Sequence, residues 1–134
     1  MVSIDQINEL KARVAKLSAS IGVEQRRIDL QNEQERTEEP NFWDNPDEAR
    51  KQLKKVADIK AVIEEWEAAV RMADDLDLVP DFVSEGVLSE AEADEQYLAA
   101  QERVEKLELK QTLLRVTAPE LPLLPARITE LPSP

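Results

Sequence analysis

The chain has 134 residues, carries 29 Asp and Glu against 17 Lys and Arg for a net charge of −12, and contains neither Cys nor His. This excludes thiol nucleophiles, disulfides, most transition-metal sites and the usual general base near neutral pH, and it sets long-range repulsion against a bare phosphate backbone. The length suits one modest domain burying roughly two thirds of its unfolded surface, and an apolar content led by Leu, Ala, Val and Ile with only two glycines, Gly22 and Gly86, is the composition of long helices.

Ser3 opens the first element as an N-cap, with Gln6 three residues on completing a capping box. Ile7, Leu10, Val14, Leu17 and Ile21 follow at spacings of 3, 4, 3 and 4, the seam of a helix that packs on another helix. Gly22 interrupts the pattern, and Val23, Ile28 and Leu30 carry it onward on a shifted face, so the first helix is expected to run through. It ends in "EQERTEEP", Glu33 to Pro40, where no apolar residue occurs and Pro40 biases Glu39 away from helical dihedrals.

Phe42 and Trp43 come next, two of the five aromatic residues in the chain. "NPDE", Asn45 to Glu48, then supplies an N-cap Asn, a Pro at the first helical position and acids facing the positive end of the helix dipole. The second seam is Leu53, Val56, Ile59, Ile63, Trp66, Val70 and Ala73. "DDLDLVPDF" around Pro80 reads as a turn or a short helix closed by Gly86. "SEAE", Ser89 to Glu92, repeats the capping box and starts a third long helix through Tyr97, Ala100, Val104, Leu107 and Leu114.

Residues 1–116 are therefore expected to form one all-α domain, an antiparallel, coiled-coil-like bundle of three long helices with a short helix or turn before the last. Five of the eight prolines fall between Pro119 and Pro134, so residues 117–134 read as an extended or disordered tail. Short loops favour a monomer, although an apolar seam is equally satisfied between chains and a dimer stays open. No apolar run approaches the roughly 18 residues that span a bilayer, and Met1 leads into a polar helical pattern without a secretory core, which predicts a cytoplasmic protein without a membrane partner.

In this scheme Phe42, Trp43, Asp44, Asn45 and Pro46 form a structural hinge. The two rings are expected to fold under the bundle end like an enlarged hydrophobic staple, and burial of Trp43 would make Trp43→Ala cost roughly 3 to 5 kcal/mol. An exposed aromatic hot spot for a partner is the competing reading. Arg26 and Arg27, with the acids from Asp74 to Asp77, are candidate partner contacts, set against the ordinary role of charge runs as solvated faces. Asp74 and Asp75 read as a solvated helix end and not as an acid–base pair.

"RTEEPNFWDNPDEARKQLKKVADIKAVIEEWE" and "VEKLELKQTLL" resemble segments of the N-terminal helical domain of bacterial peptide chain release factor 2, a likeness covering about Ile4 to Leu114. The family pattern is an acidic stretch, an apolar residue paired with Trp, and an N-P or D-P helix start ahead of a Lys-rich helix. "TAPELPLLPARITELPSP" departs from it. The resemblance implies a role in translation termination, with the helical domain leaning on ribosomal proteins near the stalk base and facing a termination GTPase. Codon reading and ester hydrolysis belong to later domains of such proteins. The only Ser-Pro here is Ser133-Pro134, with no Phe after it, and Gly22 and Gly86 are too far apart for the hydrolytic Gly-Gly-Gln. No enzymatic activity, cofactor or metal is therefore expected, and a basic protein partner fits the charge better than bare nucleic acid. The alternative is a free-standing helical coiled-coil adaptor or chaperone-like interaction protein. On this reasoning a compact bundle with Trp43 buried favours the release-factor reading, and an elongated dimer with Trp43 exposed favours the adaptor.

Overall fold

The computed structural model describes residues 2–117, which are helical and turn structure with no strand among them. The elements are α1 (Ile4–Ile21), α2 (Val23–Arg36), a single 3-10 turn (Phe42–Asp44), α3 (Pro46–Asp75), a second 3-10 turn (Leu76–Leu78), α4 (Val79–Ser84) and α5 (Glu90–Thr117). The tail expected over 117–134 lies outside the described residues, apart from Thr117, which ends α5.

Local sequence chemistry sets the starts. Ser3 Oγ accepts from the Gln6 N–H at 3.1 Å while Gln6 Oε1 accepts from the Ser3 N–H at 2.9 Å. Val2, just before the cap, is buried in the same cluster as Ile7, the arrangement of a hydrophobic staple. Asn45 Oδ1 accepts from the Glu48 N–H at 3.3 Å, and α3 begins at Pro46. At α5, the Ser89 N–H donates to Glu92 and the Glu92 N–H donates back to Ser89 Oγ, which holds the Glu92 carboxyl below the usual carboxylate range.

The first helix does not run through. Gly22 sits at φ 74°, ψ 45°, its N–H donating to the Ser18 carbonyl at 2.9 Å, and α2 resumes at once with the Arg26 N–H on the Gly22 carbonyl. A left-handed residue ends an α-helical path, and only glycine takes that conformation without a Cβ penalty. The expected three long helices are thus four. Gly86, at φ 77°, closes α4 in the same conformation.

Side-chain pairings give the directions. Lys11 meets Asp77 and Val14 meets Trp66, so α1 and α3 are antiparallel. Glu65 meets Lys110 and Met72 lines a cleft with Ala99 and Arg103, so α3 and α5 are antiparallel. Val2 lies beside Tyr97 and Ser20 beside Arg115, so α5 runs parallel to α1. The seams close on one another: Ile7, Leu10, Val14, Leu17 and Ile21 of α1 share a core with Ala69 and Ala73 of α3 and with Ala93, Tyr97, Ala100, Val104 and Leu107 of α5. Leu76 and Val79 seal one end, which gives the Pro80 segment its structural purpose.

Beyond Gly22 the architecture thins to two helices. α2 starts at the core with Val23 and then runs back along α3 towards the α3 N-terminus, with Arg27 on Glu67 and Gln52 on Glu33 marking an antiparallel hairpin. Its 14 residues make an arm about 21 Å long. Leu53 and Ile28 are exposed on this arm, contrary to the expectation that their faces close into the bundle, because a single neighbouring helix covers only one side of each. Leu114, expected in the third seam, is also exposed near the end of α5.

Candidate functional site

Three places in the fold carry the residues singled out from the sequence: the tip of the arm, the elbow where arm meets bundle, and the end of the bundle where Lys11 meets two aspartates.

At the tip, backbone hydrogen bonds from the Phe42 N–H to the Glu39 carbonyl at 3.0 Å and from the Asp44 N–H to the Asn41 carbonyl at 3.1 Å wind the turn before α3. Phe42 is half-buried and meets Trp43 edge to face, with ring centroids 5.0 Å apart and planes at 82°. Trp43 itself is 64% exposed. The expectation that it is an internal wedge is therefore overturned. A staple needs a bundle end to fold under, and here the turn caps a projecting hairpin whose only mass is its own two helices. Trp43→Ala should change the unfolding free energy by no more than about 0.5 kcal/mol in a urea melt, the range of ordinary surface substitutions. A loss of several kcal/mol would return the ring to a core.

The tip is acidic. From Glu33 to Lys51 there are seven acidic and three basic side chains. Asp47 pairs with Arg50 and Glu48 with Lys51, while Glu38, Glu39 and Asp44 have no cation at ion-pair distance among the described residues. Further down the arm, Gln52 donates to Glu33 at 2.9 Å, and this bond, together with Arg36 and Lys55, holds the Glu33 carboxyl below the ordinary range. Its stabilising effect is complete above that range and is lost as pH falls through the lowered value.

The elbow was not legible as a unit. Trp66 Nε1–H donates to the Val14 carbonyl at 3.0 Å, across the α1–α3 contact, and the Arg27 guanidinium lies 5.8 Å from the Trp66 ring centroid. Arg27 also donates to Glu67 at 2.8 Å, and Arg26 Nε donates to the Ile21 carbonyl at 2.8 Å, satisfying an acceptor left open where α1 ends. Arg26 and Arg27 are thus engaged in fixing the angle between bundle and arm. Their sequence signal was a charge pair one turn after a glycine, and the partner residues lie elsewhere in the chain.

At the bundle end, Lys11 Nζ donates to Asp77 at 2.6 Å and lies 4.0 Å from Asp74, bonds that raise the lysine pKa, chiefly through Asp77. Two of the three acids offered as partner contacts are therefore occupied within the chain, and Asp75 alone is solvated without an ion pair. Arg13 reaches across to Glu108 with two bonds, 2.6 and 3.1 Å, tying α1 to α5. Among the described residues no acidic cluster is arranged to hold a metal ion, and no helix is long and apolar enough to cross a membrane.

The geometry defines a class: an all-helical bundle whose surface features are a two-helix arm, an exposed aromatic tip and paired surface charges. The PCRF domain family matches residues 25–120, well over half of the chain. The chain belongs to that family and carries a release-factor-like N-terminal helical domain. No solved structure matches it. The matched span takes in the arm, α3 and α5, with α1 outside it. Exposure of Trp43 was expected to favour an unrelated adaptor. That criterion fails because it placed Trp43 under the end of a bundle, whereas the ring sits on the turn that joins the two helices of the arm.

Proposed function

We propose that this chain serves translation termination as the docking and positioning domain of a release factor 2-like protein, seated on the ribosome near the base of its stalk beside a termination GTPase. The observation that carries this is the family match across the arm, α3 and α5. The form of the domain supports it. The α1 seam closes on α3 and α5 within one chain, which supports a monomer, and the arm extends its reach. It contributes position and no chemistry: neither Gly-Gly-Gln nor Ser-Pro-Phe occurs in the sequence. A net charge of −12 selects basic ribosomal proteins over rRNA phosphates as contacts, and it suits a protein that works in the cytoplasm. Sedimentation with purified ribosomes tests the proposal, with an acidic helical protein of similar size as control. Enrichment above the control is expected, and its absence overturns the docking role.

A further inference from the structure

We infer that Trp43 is the anchor of the docking contact, inserting into an apolar pocket rimmed by Lys and Arg on a basic protein. The inference deepens the docking reading above and rests on it.

Three observations converge on the arm tip. Trp43 is among the most exposed large apolar side chains described, although tryptophan is the side chain that gains most from being covered. It stands at the turn that joins the two helices of the arm, where it is left exposed among the described residues and open to an incoming surface. It is preorganised: the 3-10 turn is closed by two backbone hydrogen bonds, Phe42 braces the ring edge to face, and the Asn45 cap begins a rigid helix directly behind. An exposed aromatic group already held in place loses little conformational freedom on binding, which is what makes such side chains dominate interfaces.

Charge selects the partner. Glu38, Glu39 and Asp44 lie close to Trp43 in the chain and have no cation at ion-pair distance among the described residues, so the contact is completed by a surface that brings cations to its rim. The same carboxylates oppose a phosphate backbone, so stacking of Trp43 on an RNA base is disfavoured at the approach.

The test uses the 134-residue chain in ribosome sedimentation. Trp43→Ala should weaken binding at least tenfold, Trp43→Phe should retain part of the affinity, and Leu98→Ala, removing another exposed apolar side chain from α5, should leave it unchanged. Because the chain has no cysteine, Asn41→Cys gives a unique thiol beside the tip, at a side chain that makes no capping bond, for a benzophenone cross-linker. Cross-linking to a basic ribosomal protein is the expected result. Cross-linking to rRNA overturns the choice of partner, and wild-type affinity in both Trp43 variants overturns the anchor while leaving the docking role standing. If the wild-type chain itself fails to sediment, the docking role falls and the anchor with it.

Discussion

Leu10→Ala should lower the unfolding free energy by about 3 to 5 kcal/mol, the upper part of the range for a leucine deleted from a packed core. Leu10 is 0% exposed and lies mid-seam on α1, the helix that packs on both α3 and α5. The loss has two parts, the transfer free energy of the removed carbons and the void they leave. The void is not readily filled, because α1 is pinned on either side of Leu10. Its first turn is fixed by the Ser3–Gln6 capping box and the burial of Val2, and its middle by the Arg13–Glu108 pair and the Trp66–Val14 bond. Collapse would have to break one of these. A urea melt should show a lower midpoint with an unchanged slope. Leu53→Ala, on the arm, is the internal comparison: Leu53 is exposed, and its removal should cost less than about 1 kcal/mol. Equal effects at the two positions would mean that α1 is not seated in a core.

That contrast marks the boundary of what the sequence could convey. The capping boxes at Ser3 and Ser89 and the Asn45-Pro46 start were readable because each is settled within four residues by bonds between neighbours. The seams were readable because an amphipathic helix advertises the face that meets another helix. Periodicity does not state how many helices will meet that face. Leu53 continues the spacing of Ile63 and Ala73 without interruption, yet Ala73 is buried in the bundle core and Leu53, out on the arm, is exposed. The break at Gly22 decides this, since it redirects α2 away from α1 and leaves a two-helix arm. The position of Trp43 inherits the same dependence: its local turn chemistry was visible, but whether the turn lies under a bundle or at the end of an arm is a property of helix lengths summed over the whole chain. The elbow was hidden for a related reason. Arg26 and Arg27 look like solvated charges until Ile21, Trp66 and Glu67 are brought beside them.

Trp66 provides the sharpest test of that elbow, and Trp66→Ala should destabilise the protein by about 3 to 4 kcal/mol. The indole is only half-buried, which taken alone would place the cost near the low end for an aromatic truncation. It also ties three helices together: it packs against the core from α3, donates to the Val14 carbonyl of α1 and underlies Arg27 of α2. Removing it therefore exposes core at the junction, deletes a hydrogen bond whose net contribution is about 1 kcal/mol, and frees the guanidinium from its aromatic face. Trp66→Phe separates these contributions, because it keeps most of the apolar contact and the ring face while losing the donor, and should cost about 1 to 2 kcal/mol. The same variant leaves Trp43 as the only indole in the chain. Its fluorescence should then be that of a solvated ring, fully accessible to acrylamide, whereas Trp43→Phe should leave an indole shielded by the elbow. If Trp66→Ala melts like wild type, the hydrogen bond to Val14 does not form in solution, and the arm is hinged at Gly22 instead of being held at a fixed angle.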